Sequence, residues 1–260
     1  GAAGLALLGA GGGTLLAAEP EAAAAEPALE LTAEVASRYL WRGWDVMHAD
    51  PALLLTATVA PPAAPGFWTS AAAIAGLRTD AAVGDGRNVV DEVDLTVGWE
   101  RGGLAGGRVT AGLSLAAYVY VSTWTRAVAY QDDLDVEANL YVRWDAAEHL
   151  RPSLDYYRGL DDGIRGDYLE AAVAFPLERA VWSTEPSVIA GWSRQFDAPG
   201  RVSHVSVVLP VTWRRGPLAV TPSVAWTWVR DPEGYNPEEL VGTRPRSSLF
   251  VASLRVAWSR

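Results

Sequence analysis

Residues 91–99 carry the pattern that most constrains the fold, because apolar and polar side chains alternate along them. Val93, Leu95, Val97 and Trp99 are apolar, and the residues between them are acidic, small or polar. A period of two puts the two kinds of side chain on opposite faces of a β-strand. The stretch therefore predicts a strand with one apolar face and one polar face.

The same alternation recurs along the chain and predicts about twelve strands. They cover residues 31–42, 51–60, 66–77, 91–99, 108–120, 133–144, 149–158, 167–176, 183–193, 202–213, 217–229 and 248–258. Connections after odd-numbered strands hold about 8 to 17 residues, and those after even-numbered strands about 4 to 7. Outer-membrane barrels show this asymmetry and an even strand number. We therefore predict a closed, antiparallel, up-and-down transmembrane β-barrel over residues 30–260, with the long loops outside the cell and both termini in the periplasm.

Composition narrows the class further. The chain has 260 residues, a net charge of −10, no cysteine and no basic cluster with interleaved aromatic residues. Nucleic acid is therefore not an expected partner, and neither a disulfide framework nor a thiolate metal site can form. Residues 1–26 are rich in Ala, Gly and Leu. They predict a truncated signal-peptide-like segment or, as the alternative, a disordered tail.

The strand ends carry aromatic residues, which favour membrane–water boundaries. On the predicted topology they form two girdles on the outer surface. Their members are Tyr39, Trp41, Tyr156, Trp192, Trp226 and Trp228 at the outer ends, and Trp99, Trp144, Phe175, Trp213 and Trp258 at the periplasmic ends. The polar faces mix charges with small residues such as Thr56 and Ser114, as a crowded lumen needs. Both features favour a barrel in the bacterial outer membrane over a soluble barrel or a secreted sandwich.

Residues 37–43, with the sequence Ser-Arg-Tyr-Leu-Trp-Arg-Gly, resemble the strand end that opens members of the Gcw_chp family of bacterial outer-membrane proteins. Residues 92–95, 152–156, 166–170 and 221–224 are similar to further fragments of that family. The resemblance spans roughly residues 30–258. It implies an outer-membrane barrel and no established activity, so it assigns no functional residue.

The charged side chains of the polar faces sort by depth in the predicted lumen. Near the outer mouth we expect Arg38, Arg42, Glu92, Asp94, Asp133, Asp135, Glu137, Asp155 and Glu170. Toward the periplasm we expect Glu34, Arg108, Arg143, Arg151 and Arg255. One interpretation is a set of ion pairs that brace the wall, since buried charges must be paired. The other is a narrow pore whose acidic vestibule attracts cations.

Two functions follow from these interpretations. The first is a narrow passive channel for small solutes or ions, and the alternative is a structural or surface-interaction barrel with a plugged, ion-paired lumen. Outer-membrane lipid and the barrel-assembly machinery are the other expected partners.

We expect no enzyme activity. His204 and Ser206 share one strand face, as in an outer-membrane lipid A deacylase, but no carboxylate is evident to orient the histidine. His48, near Asp45 and Asp50, is a weaker candidate base. The acidic, glycine-rich loop around residues 80–88 does not match a calcium-binding loop. We therefore expect no metal and no cofactor.

Overall fold

The computed structural model describes residues 28–42, 44–45, 51–77, 90–121, 134–161, 165–194, 201–230 and 247–260. Predictions for residues 1–26, for Asp133, for His48 and for the 80–88 loop lie outside these ranges. The strands are β1 (Ala28–Ala36), β2 (Leu40–Trp41), β3 (Trp44–Asp45), β4 (Ala52–Ala60), β5 (Phe67–Gly76), β6 (Val90–Gly103), β7 (Val109–Tyr120), β8 (Leu134–Trp144), β9 (Arg151–Gly159), β10 (Gly166–Ala174), β11 (Leu177–Arg179), β12 (Trp182–Thr184), β13 (Ser187–Ser193), β14 (Arg201–Arg215), β15 (Leu218–Val229) and β16 (Ser248–Ser259). One short helical segment, α1 (Leu104–Gly107), links β6 to β7.

Within the described residues, β1, β4–β10 and β13–β16 form a closed barrel of twelve strands. Each strand pairs antiparallel with the next one along this series, and β16 returns to pair with β1. Val35 lies opposite Leu254 at this closing seam. A closed meander leaves no wall strand with an unpaired edge, which a bilayer requires because lipid offers the backbone no hydrogen bonds. The predicted fold class is confirmed.

The two faces of the wall have opposite compositions. Leu95 is 50% exposed and Leu140 is 56% exposed, and both point away from the barrel axis. Their neighbours on the inner face, Asp94 and Glu137, are 1% exposed each. Valine and leucine therefore meet the surroundings and carboxylates fill the interior, which is the reverse of a water-soluble domain.

Most predicted strands match the observed ones apart from shifts at their ends, but two are interrupted. The predicted strand over residues 31–42 ends at Ala36, because residues 37–45 leave the wall and form the small hairpin β2–β3. The predicted strand over residues 183–193 is divided into β12 and β13 just before Ser187, where Pro186 cannot donate a ladder hydrogen bond. The β11–β12 hairpin continues the wall at this point, since Trp182 pairs with Trp213 of β14.

The barrel has two distinct ends. At the turn end, α1, the β11–β12 hairpin and short turns such as residues 61–66 connect the strands. At the loop end lie Ala36, Gly76 and Tyr120, from which the long connections start. None of the described helices is long and apolar enough to cross a bilayer.

Candidate functional site in the barrel lumen

Residues 37–42 and 44–45, which we call the lumen hairpin, enter the barrel from the loop end. Ser37 anchors them to β16: its backbone N–H donates to the Ala252 carbonyl at 2.8 Å, and its hydroxyl accepts from the Ala252 N–H at 3.0 Å. Tyr39, Leu40 and Arg42 are then almost completely buried. Tyr39 is 1% exposed, so its predicted position in the outer girdle is wrong. The chain turns inward after Ala36, which carries this ring into the lumen.

The backbone of Arg42 is in the left-handed region, with φ of 52°. This conformation costs a residue other than glycine about 1–3 kcal/mol and persists only where surrounding contacts compensate. An arginine at such a position indicates that the hairpin needs its side chain.

The Arg42 side chain forms a buried, two-pronged ion pair with Glu137 of β8. Its Nη1 donates to Glu137 Oε2 at 2.8 Å, and its Nη2 donates to Oε1 at 2.6 Å. The Tyr118 hydroxyl donates to the same Oε1 at 3.0 Å. A pair of charges taken out of water is tolerated only with such geometry and with extra hydrogen bonds to the charged groups.

Two tyrosine rings complete the surroundings of the guanidinium. Arg42 Cζ lies 4.4 Å from the centroid of the Tyr157 ring and 4.4 Å from that of Tyr168. The two centroids are 5.7 Å apart and the rings are inclined by 50°, so the guanidinium sits in a notch between them. Both contacts are within the range of cation–π attraction, which strengthens where water is excluded.

The notch is itself held by the wall. The Tyr168 hydroxyl donates to Glu170 Oε2 at 2.8 Å, and its ring stacks on His204, with centroids 6.2 Å apart and planes inclined by 12°. Gly191 of β13 leaves room for this stack. A Cβ at Gly191 would lie 2.3 Å from His204 Cε1 and 2.4 Å from the Tyr168 hydroxyl.

Inward side chains of β6–β10 form what we call the acidic wall. The strand register puts Glu92 opposite Tyr120 and Asp94 opposite Tyr118 on β6 and β7, and puts Tyr118 opposite Asp135 on β8. All five side chains are buried. Phenols thus separate carboxylates across neighbouring strands, which reduces repulsion between like charges. The one hydroxyl proton of Tyr118 is donated to Glu137.

The opposite side of the lumen, which we call the apolar wall, comes from β13–β16 and β1. Its buried side chains pack with Leu40 of the lumen hairpin, and they are Ala36, Ile189, Val208, Ala225, Val229, Leu249 and Val251. The lumen hairpin therefore joins two unlike surfaces. Leu40 packs on the apolar wall, and Arg42 pairs with the acidic wall.

The turn end of the lumen has a separate polar network. The Tyr141 hydroxyl donates to Glu100 Oε2 at 2.8 Å, and Arg143 Cζ lies 4.8 Å from the Tyr141 ring centroid. Arg151 Nη1 donates to Glu185 Oε2 at 3.0 Å. These contacts connect β6, β8, β9 and the β12–β13 segment at the rim, and they include two of the arginines that the sequence predicted for this end.

The structure brings most of the predicted outer-mouth residues together at the loop end. The buried members are Arg42, Glu92, Asp94, Asp135, Glu137 and Glu170. Arg38 and Asp155 are half-buried. Among the residues predicted for the other end, Glu34 is buried opposite Arg255 on the paired strand β16.

The prediction that Arg108 lines the lumen is wrong. Arg108 lies outside the strand, and its N–H donates to the Leu104 carbonyl at 3.1 Å to close α1. Its side chain is exposed in this turn. The period-two pattern of β7 begins one residue later, at Val109, so the alternation was extended one position too far.

The other predicted girdle residues with described side chains lie on the outer surface. The exposed ones are Trp99, Trp144, Tyr156, Phe175, Trp192, Trp226 and Trp228. Trp213 and Trp258 are half-buried at the turn end, and the side chain of Trp41 lies outside the described residues.

His204 and Ser206, which share one strand face, have different partners in the structure. Ser206 shares its hydroxyl hydrogen bond with Thr227 at 2.8 Å, whereas His204 stacks on Tyr168, and no hydrogen bond joins His204 to Ser206. No group of three or more His, Asp or Glu side chains in the described ranges could hold a metal ion.

The lumen residues predicted from the sequence do not include Tyr118, Tyr157 and Tyr168, although all three lie on the polar faces of their strands. Three aromatic rings on the polar faces of nearby strands are the signal that could have been used. Large rings pointing into a barrel must fill space or bind something.

Comparisons with known proteins support the fold. No family model matches the chain and no curated sequence is similar to it, so the resemblance to the Gcw_chp family is not confirmed. The KdgM porin, solved in complex with disordered oligogalacturonate, has a TM-score of 0.54 at 8% identity, over 90% of this chain and 99% of that one. The NanC porin has a TM-score of 0.52 at 12% identity, over 88% and 98%. The COG4313 outer membrane channel from Pseudomonas putida F1 has a TM-score of 0.55 at 10% identity, over 94% and 100%.

At these identities the likeness concerns the fold. A closed twelve-stranded barrel with an apolar outer surface and a charged interior is built to be surrounded by lipid. The protein is a bacterial outer-membrane β-barrel with the fold of outer-membrane channels.

Proposed function

We propose that this protein is a narrow, passive channel for small solutes or ions, that it performs no catalysis, and that the lumen hairpin closes it in the state described above. The observation that carries the proposal is the position of this hairpin. It places Tyr39, Leu40 and Arg42 inside the barrel without belonging to the twelve-stranded wall, because in the described residues β2 and β3 pair with each other and with no wall strand.

The size of the barrel supports a path once the hairpin is displaced. Eight strands leave an interior that side chains fill, and sixteen leave an aqueous channel, so twelve fall between these cases. Tyr39, Leu40 and Arg42 occupy the lumen here at between 1% and 4% exposure. Displacing them would remove three buried side chains from the lumen without changing any wall strand.

The acidic wall supports a preference for cations. Glu92, Asp94, Asp135 and Glu137 all point inward near the loop end. Acidic rings attract cations and repel anions in narrow pores. We place the loop end outside the cell, so that these groups line the outer vestibule.

A second candidate function, a plugged barrel that transports nothing, is favoured by the same buried ion pair. Arg42 and Glu137 are 2% and 1% exposed, and a bidentate pair closed off from water resists separation. The two candidates differ in whether the lumen hairpin ever leaves its seat.

Planar-bilayer recordings test the choice. We expect the wild type to give brief, small currents, and a variant with residues 38–45 replaced by Gly and Ser to give a steady, cation-selective current. As a matched control, the same replacement of residues 61–66, at the turn end, should leave the wild-type behaviour unchanged. No current from the 38–45 variant, once heat-modified migration shows that it is folded, would favour the plugged barrel. A reversal potential that indicates anions would contradict the acidic vestibule.

A further inference from the structure

Within the described residues, the side chains that contact the Arg42 guanidinium form a receptor for such a group, and they belong to the wall. Glu137 lies on β8, Tyr157 on β9 and Tyr168 on β10. We call these three residues the guanidinium site. They are adjacent because β8, β9 and β10 are neighbouring strands, and Tyr168 lies directly opposite Tyr157.

Contacts between wall residues also hold the guanidinium site in place. Tyr118 donates to the Glu137 carboxylate, and Glu170 accepts from the Tyr168 hydroxyl. The His204 ring stacks on the Tyr168 ring. A receptor whose groups are fixed by a second layer of contacts pays little to organise itself around a ligand.

The chemistry of the guanidinium site selects a planar cation. Two parallel hydrogen bonds to one carboxylate match the fork of a guanidinium, and the notch between Tyr157 and Tyr168 accepts its flat face. An ammonium group is a compact, strongly hydrated point charge that cannot form this fork. A preference of about tenfold for guanidinium over ammonium is expected from the fork and the cation–π contacts.

We propose that Glu137, Tyr157 and Tyr168 bind solutes that carry a guanidinium group, and that Arg42 occupies this site as an internal ligand while the lumen hairpin is seated. This inference rests on the proposed function, because a solute reaches the site only if the hairpin can leave it. Such a solute displaces Arg42 and becomes the ligand in its place. The same three residues thus hold Arg42 when the lumen is closed and bind the solute when it is open.

The internal ligand sets the concentration at which an external one can act. A group tethered by a short chain competes at an effective concentration in the millimolar range. The wild type should therefore respond only to millimolar guanidinium compounds, and removal of the Arg42 side chain should lower that threshold.

Calorimetry on the purified, detergent-solubilised protein tests the proposal directly. Arg42→Ala should bind methylguanidinium at least about tenfold more tightly than methylammonium. Adding Glu137→Gln to Arg42→Ala should abolish the binding. The matched control is Arg158→Ala, which removes an arginine paired with Asp167 at 2.8 Å on the exposed surface and should create no binding. Equal affinity for the two cations, or binding that survives Glu137→Gln, would overturn the proposal.

The guanidinium site and the channel are tested by different measurements, so one proposal can fail while the other stands. Binding to Arg42→Ala without any current from the 38–45 replacement would leave the guanidinium site standing and remove the channel. A current from the 38–45 replacement, with no methylguanidinium binding to Arg42→Ala, would support the channel and contradict the guanidinium site. If Arg42→Ala fails to fold alone, its refolding yield in millimolar methylguanidinium is compared with that in methylammonium. Rescue by the first alone supports the site, and equal yields contradict it.

Discussion

The acidic wall and the apolar wall face each other across one lumen and differ in charge. The first carries carboxylates, whereas the second carries apolar side chains together with uncharged polar ones such as Ser206 and Thr227. On the acidic wall, carboxylates and phenols alternate between neighbouring strands, as with Asp94 and Tyr118. On the apolar wall, Ile189, Val208 and Val251 pack together as they would in the core of a soluble protein. On the lipid side the two walls do not differ in this way, because each presents large apolar residues to the bilayer.

This difference shows that the composition of the outward side chains and the composition of the inward side chains have separate causes. The outward side chains are apolar on every strand because the bilayer requires an apolar surface. The inward side chains depend on what occupies the lumen. The lumen hairpin has an apolar side at Leu40 and a charged side at Arg42. Each wall matches the side of the hairpin that it contacts.

Glu137→Ala should have the largest effect, because it breaks the contact on the acidic wall. It leaves the Arg42 guanidinium buried without its carboxylate, and removing one partner of a buried pair costs about 3–5 kcal/mol. We expect the free energy of unfolding in urea, followed by tryptophan fluorescence in lipid vesicles, to fall by this amount. As a control, Asp167→Ala breaks an exposed pair with Arg158 and should barely change the same measurement. Equal effects at the two sites would mean that the acidic wall does not hold the hairpin.

Leu40→Ala tests the other wall and should have a smaller effect. Leu40 is 4% exposed, and deleting a buried leucine side chain costs about 2–3 kcal/mol where the surroundings can partly collapse. The same urea titration measures it, with Leu209→Ala as the control on the half-exposed lipid side of β14. A loss at Leu40 as large as that at Glu137 would remove the distinction between the two walls.

Gly191→Ala should have the smallest effect, because it disturbs the support of the notch and leaves both hairpin contacts in place. Its Cβ would overlap His204 and the Tyr168 hydroxyl, and overpacking of this kind costs about 1–2 kcal/mol when side chains can shift. We expect a small drop in stability together with weaker methylguanidinium binding in the Arg42→Ala background. Gly102→Ala is the matched control, since its nearest atom is Thr110 Oγ1 at 3.5 Å. Unchanged binding would show that the notch does not depend on this stack.

The wall strands and the direction of their faces could be predicted from the sequence. A period of two is a local property, and it is strong in stretches such as residues 91–99 and 134–144 because lipid demands an apolar residue at every second position. The lumen hairpin could not be predicted in the same way. Tyr39 and Trp41 continue the alternation of β1, so the pattern extends past the point where the chain leaves the wall.

The candidate site was predicted only in part for a related reason. Alternation indicates that Glu137, Tyr157 and Tyr168 point inward, but it does not indicate which of them meet. Their proximity depends on the register between β8, β9 and β10 and on Arg42, which lies 95 residues from Glu137 in the sequence. Contacts of this separation leave no periodic trace in the chain.

That separation has a consequence for how the barrel is made. The lumen hairpin is synthesised directly after β1, whereas the residues that bind it are synthesised later, in β8, β9 and β10. It cannot dock before the sheet has curled far enough to bring those strands across from it, and contacts so distant in sequence form slowly. We therefore expect the hairpin to dock late in folding, so that a docked hairpin indicates a barrel that has already closed.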